Sequence, residues 1–259
     1  MAALSVEIRE KRFAPVGGAP AKLALEGLAF AVEPGETVAL IGPSGCGKST
    51  LLNIVAGLDR DFAGRIETRR DERLAYVFQE PRLLPWRTVE DNLRLVLGDG
   101  PDVAARIEAA LTEVGLEGAR RVFASRLSLG MARRVALARA FVVRPALLLL
   151  DEPFVSLDEP TARRLRLLLL DLLAAHGASA LFVTHNLREA IMLAHRILFL
   201  SPSPAHVMTS SRVDLERAAR ADDAAIEACR TRLIAEKDAI GSVLPVESPA
   251  EADDLEVMP

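Results

Sequence analysis

Residues 42 to 49 read Gly42-Pro43-Ser44-Gly45-Cys46-Gly47-Lys48-Ser49, the spacing glycine, four residues, glycine, lysine, serine, and Thr50 follows. Such a loop works only where a strand enters it and a helix leaves it. Here Val38-Ala39-Leu40-Ile41 leads in and Leu51-Leu52-Asn53-Ile54-Val55 leads out, which predicts a buried strand over 37–41 and a helix to about Ala56, stopped by Gly57.

Converging backbone N–H groups at the start of a helix make a cradle for phosphate oxygens, and glycines without a Cβ let a polyphosphate approach closely. Gly42, Gly45 and Gly47 are expected to serve in that way, with Pro43, Ser44 and Cys46 completing the loop. Lys48 can reach the β and γ phosphates, the Ser49 hydroxyl can hold Mg²⁺, and Thr50 adds a hydrogen bond to phosphate. A nucleoside triphosphate and Mg²⁺ are therefore the expected ligands. Cys46, set among N–H donors at a helix start, is expected to favour its thiolate, so that alkylation blocks ATP binding.

The 259 residues suffice for a sizeable apolar core. With 32 basic and 36 acidic residues the net charge is −4, and no dense Lys/Arg stripe appears, which argues against nucleic acid as a partner. Two cysteines far apart give no disulfide framework. The beginning of the chain lacks the apolar stretch of a secretion signal, and no run reaches the roughly 18 apolar residues of a membrane span. A cytosolic chain is expected. Half of its residues are hydrophobic, which leaves room for an apolar interface.

Strands and turns are expected over 4–41, with Gly17-Gly18-Ala19-Pro20 as a loop, and helical periodicity takes over at 87–142. Ala146 to Leu150 and Ala180 to Val183 are wholly apolar and read as strands covered on both faces, joined by a crossover helix over Thr161 to Ala175. Arg163, Arg164 and Arg166 read as the solvated face of that helix. The expected fold is α/β: a phosphate-loop NTPase core with a mostly parallel sheet, an antiparallel β subdomain and an inserted helical subdomain. The division runs 1–86 and 143–210 for the two parts of the core, 87–142 for the helical insertion, 211–241 for a C-terminal helical extension, and 242–259 for an acidic tail that reads as disordered.

Leu150 is followed by Asp151-Glu152-Pro153, two carboxylates at the carboxyl end of a buried strand, where doubly wound sheets build their sites. Asp151 is assigned to Mg²⁺ and Glu152 to polarising the attacking water. The phosphate loop, Gln79 in Val77-Phe78-Gln79-Glu80-Pro81, Leu127-Ser128-Leu129-Gly130-Met131, Leu150-Asp151-Glu152-Pro153, Ser156-Leu157-Asp158 and Thr184-His185 occur in an order that resembles the ATP-binding cassette ATPases. The resemblance spans roughly residues 4 to 205. The segments Gln79 to Trp86 and Leu200 to Pro204 are similar to the nitrate, sulfonate and taurine importer branch.

That resemblance implies that the nucleotide is ATP, that Gln79 senses Mg²⁺ and the γ phosphate, and that His185 hydrogen-bonds the γ phosphate. Independently, Asn186-Leu187-Arg188-Glu189 reads as a helix start with Asn186 as its cap. It implies a head-to-tail homodimer in which Ser128 and Gly130 of one copy close over the ATP of the other and Asp158 touches the opposite copy. Leu129 and Met131 depart from the usual Leu-Ser-Gly-Gly-Gln, and Leu129 is strained by roughly 1–3 kcal/mol if its backbone needs a positive φ. Phe13 is the candidate for stacking on adenine, although core packing explains a lone Phe equally well. Trp86 stands where importer relatives receive a helix of the membrane subunit, and ordinary core is again the alternative.

The implied function is ATP hydrolysis coupled to import of a small anion such as nitrate, sulfonate or taurine. Transmembrane permease subunits would be direct partners and a periplasmic substrate-binding protein an indirect one, with the chain peripheral on the cytoplasmic face of the inner membrane. A lipid or export system, a nucleotide-gated clamp and an adaptor with weak turnover are the alternatives.

Overall fold

A computed structural model describes residues 2–15, 20–69 and 72–236. Most of the loop expected over Gly17 to Pro20, the end of the C-terminal extension and the acidic tail over 242–259 lie outside the described residues.

Two sheets organise the chain. Strands β1 (Leu4–Phe13), β2 (Lys22–Val32) and β4 (Ala63–Thr68) form an antiparallel sheet in the order β2-β1-β4. Strands β3 (Thr37–Ile41), β5 (Leu74–Val77), β6 (Leu147–Asp151), β7 (Ser179–Thr184), β8 (Arg196–Leu200) and β9 (Val207–Arg212) form the second sheet in the order β5-β6-β7-β3-β8-β9. It is parallel except at the β8–β9 pair, as the wholly apolar runs require of strands covered on both faces.

Side-chain alternation sorts the central strands into two cores. Val38, Leu40, Leu147, Leu149, Leu181 and Val183 face the antiparallel sheet and helix α1 (Lys48–Val55). Ala39, Ile41, Leu148, Leu150, Ala180 and Phe182 face the opposite way, into a core shared with the other helices. These are α2 (Val89–Leu97), α3 (Val103–Glu113), α4 (Leu129–Phe141), α5 (Glu159–His176), α6 (Leu187–Leu193) and α7 (Asp223–Glu236). The crossover helix is longer than Thr161 to Ala175 because Asp158 caps it, Pro160 fits its first turn, and Gly177 closes it at φ 61.

Sheet order positions the site. Four neighbouring strands, β5, β6, β7 and β3, end together, with Val77 opposite Leu150, Asp151 opposite Val183, and Ile41 opposite Thr184. The segments that follow them therefore emerge side by side: Phe78-Gln79, Asp151-Glu152, Thr184-His185 and the loop at 42–49. Three helices start at residues singled out in the sequence. Ser128 caps α4, Asp158 caps α5, and Asn186 caps α6 through the N–H groups of Arg188 and Glu189.

Candidate active site

Within the phosphate loop, Lys48 is buried and its Nζ donates to the carbonyls of Gly42 at 2.7 Å and Pro43 at 2.9 Å. Ser44, Gly45 and Ser49 form the exposed lip, and Thr50 is half-buried. The glycines do not share one task. Gly45, at φ 74, borders open space. At Gly47, φ 122 is closed to L side chains and a Cβ would meet Leu25 Cδ2 at 2.7 Å. A Cβ at Gly42 would lie 3.0 Å from both Cys46 Sγ and Leu200 Cβ, so packing beneath the loop requires this glycine too.

The thiolate expectation for Cys46 is overturned. Its side chain points into the core shared with Leu51 and Leu200, and burial pushes the thiol up, against the opposing pull of Lys48. The helix-start argument failed because desolvation outweighs the N–H groups.

Ser49 Oγ donates to Asp151 Oδ1 at 3.2 Å, pairing a hydroxyl with a carboxylate. Burial raises the Asp151 carboxyl, Glu152 beside it adds to the rise, and Ser49, Tyr76 and Lys48 oppose it. Glu152 follows at φ 41, a left-handed conformation that costs about 1–3 kcal/mol at a residue other than glycine. It sets the Glu152 carboxylate facing the next strand's end, with Oε2 3.4 Å from His185 Nδ1. The hydrogen bond from His185 holds the Glu152 carboxyl below its ordinary range, and the same bond raises His185.

Gln79 is exposed, and its backbone carbonyl accepts from Arg133 Nη1. Arg133 is buried on α4 and also donates to Val155 O at 3.1 Å, so one guanidinium joins the Gln79 segment to the turn after Glu152. Sequence reading missed Arg133. Its signal was a position on the apolar stripe with Leu137 and Ala140, four and seven residues on.

Ser128, Gly130 and Asp158 are brought together elsewhere, at a surface depression of about 500 Å³ that they line with Leu129, Met131 and Ser156. No phosphate-loop residue borders it. Leu129 is the first residue of α4 and is absent from the positive-φ positions, so the strain considered for it does not arise. Gly130 is constrained by packing: a Cβ there would sit 2.8 Å from Thr161 Cγ2 on α5.

Phe13 and Trp86 are not core. Phe13 is 42% exposed with Lys11 Nζ 4.9 Å from its ring centre, and Trp86 is 69% exposed. The solvated-face reading of Arg166 is corrected as well. Arg163 and Arg164 are exposed, whereas Arg166 is buried and paired with Glu159 and Glu189. It shares the apolar stripe of Leu169 and Leu173, three and seven residues on.

A polyphosphate cradle at the end of a parallel strand, with a hydroxyl–carboxylate pair and a second carboxylate beside it, defines a phosphate-loop nucleoside triphosphatase. The chain belongs to the ABC transporter family, whose profile matches residues 25–155. It is an ATP-binding ATPase subunit of that family. It is 45% identical over 216 residues to the aliphatic sulfonates import ATP-binding protein SsuB 2 of Burkholderia cenocepacia (strain HI2424), covering 81% of this chain and 80% of that protein. It is 45% identical over 205 residues to the SsuB 1 protein of Pseudomonas aeruginosa (strain UCBPP-PA14), covering 74% and 82%. A dimeric post-hydrolysis structure of the ATP-binding cassette MJ0796 bound to ADP and Pi superposes with a TM-score of 0.70 at 26% identity, covering 81% of this chain and 98% of that one.

Proposed function

We propose that the chain is the energy-coupling ATPase of an importer for a small anion of the sulfonate, nitrate or taurine kind. The observation that carries this reading is the similarity to sulfonate-import ATP-binding proteins along about four fifths of both chains. In this reading 1–86 and 143–210 are the two parts of the ATP-binding core, 87–142 is a helical subdomain, and 211–241 is an extension.

The residues suit the chemistry. Lys48, now held by two carbonyls, would turn to the β and γ phosphates, and the lip of the loop would present its N–H groups. Ser49 and Asp151, already 3.2 Å apart, are a hard-oxygen pair suited to Mg²⁺, which takes one or two protein ligands and completes its shell with phosphate oxygens and water. Bound there, the metal would neutralise charge on the terminal phosphates. Glu152, kept ionised by His185, would accept the proton of the attacking water, and His185 would donate to the γ phosphate. Gln79 would sense the metal and phosphate, and Phe13 has an exposed ring for adenine.

Ser128, Gly130 and Asp158 line a depression that no residue of their own phosphate loop borders, so it would serve a second copy, as dimeric cassette relatives suggest. Exposed Trp86 would meet a transmembrane permease, and a periplasmic binding protein would act through that permease. No described helix is long and apolar enough to cross a membrane, which accords with a peripheral subunit on the cytoplasmic face.

The test is reconstitution with a co-purifying permease and binding protein. ATP hydrolysis should rise when the binding protein is loaded with an alkanesulfonate, taurine or nitrate. Turnover indifferent to all three would defeat the small-anion reading while leaving the ATPase intact.

A further inference from the structure

We propose that Arg166 is a positioning residue for ATP turnover, a buried brace that ties the turn facing the second copy to the turn carrying His185. Its side chain is only 8% exposed and touches three functional segments. It donates to Glu159, the residue after Asp158. Its guanidinium carbon lies 5.9 Å from the ring centre of Phe154, two residues after Glu152. Its Nη1 donates to Glu189 Oε1 at 3.3 Å.

Glu189 carries the link onward. Its other oxygen accepts the Thr184 hydroxyl at 2.6 Å, and that hydroxyl accepts the Asn186 N–H at 3.0 Å. Asn186 in turn caps α6 through Arg188 and Glu189. His185 therefore sits between two residues whose positions depend on one carboxylate, and it faces Glu152 at 3.4 Å.

A buried carboxylate stays ionised and oriented only with a counter-charge and donors. Burial already raises the Glu189 carboxyl, and Thr184 and Arg166 pull it back. Without Arg166 the Thr184 hydroxyl would lose its charged acceptor, and the His185 turn would lose its link to the turn that reaches the other copy. A purely structural ion pair would cost stability; a brace costs the chemical step as well.

This inference rests on His185 acting at the terminal phosphate. It is tested by ATP hydrolysis and fluorescent-nucleotide binding with the full chain, comparing Arg166→Met, Arg166→Lys, Glu189→Gln and His185→Ala. Arg166→Met and Glu189→Gln should lower kcat by about tenfold or more, because an ångström of misplacement suffices for such losses, with KM for ATP within about twofold. Arg166→Lys should retain more activity than Arg166→Met. In a His185→Ala background Arg166→Met should add no further loss, since it acts through that residue. Wild-type kcat in Arg166→Met beside a crippled His185→Ala, or losses that multiply in the double variant, would overturn the brace alone. Wild-type turnover in His185→Ala would overturn the role of His185 and the brace with it. Should Arg166→Met fail to fold, Glu189→Gln, which preserves shape, decides: wild-type kcat there sinks the proposal.

Discussion

Glu152 and His185 face each other at the ends of adjacent strands, with Oε2 3.4 Å from Nδ1, and each holds the other in its charged form. The pair is built by the left-handed turn at Glu152, which has no short-range sequence signature, and by the Thr184–Asn186 turn.

Replacing Glu152 by Gln keeps the shape of the site and removes the proton acceptor. Phosphate release should fall by roughly 10²–10⁴-fold while nucleotide affinity holds, and the ATP-bound dimer should accumulate on size exclusion. Turnover at the wild-type rate would remove Glu152 from the role of base.

The same pair makes stability depend on pH. His185 is raised above its ordinary 6.5, so its contribution is complete below 6.5 and fades as pH climbs through the raised value. Glu152 is lowered below its ordinary 4.5, so its contribution is complete above 4.5 and fades as pH drops through the lowered value. The melting-temperature gap between wild type and His185→Gln should therefore be widest between pH 4.5 and 6.5 and shrink on either side. Partial exposure of both groups keeps the gap small, and added salt should narrow it.

Gly130→Ala would drive a methyl to 2.8 Å from Thr161 Cγ2, a stiff β-branched neighbour. Denaturant melts should show a loss of about 1–3 kcal/mol, and Thr161→Ser in the same chain should restore most of it. A single variant as stable as wild type would mean that α4 and α5 separate freely at their starts.

Cys46 and Cys229 are both buried, and the Cys46 thiol is pushed up by that burial. Native protein should react slowly with iodoacetamide, at a rate that MgATP barely changes, and quickly once unfolded in guanidinium. Fast, nucleotide-protected labelling of Cys46 in the native chain would restore the reactive-thiolate expectation.

Much of the site was legible in the chain because its parts are local. A strand, a glycine-spaced loop and a helix start are contiguous, so the candidates Lys48, Ser49 and Asp151 and the cap Asn186 could be read from their neighbours, whereas Ser128 and Asp158 were singled out by the resemblance and only the structure makes them caps. Errors arose where side-chain environment ruled. Arg166 lies on a helix rich in charge, and nothing adjacent shows that Glu189, 23 residues on, buries with it. Cys46 lies among donors in sequence, yet its side chain turns into the core under Leu200. For Phe13 and Trp86 the sequence left core and surface open, and their exposure excludes the core.

The order of residues alone determined the α/β class, the phosphate cradle and the strand ends where chemistry could occur, because short wholly apolar runs and glycine spacing act over a few residues. Only tertiary structure decided which strand ends became neighbours, that Arg133 and Arg166 would be buried links between them, and that the Cys46 side chain would be buried in the core. Those outcomes depend on desolvation and on contacts between residues far apart in the chain, and both are set by packing.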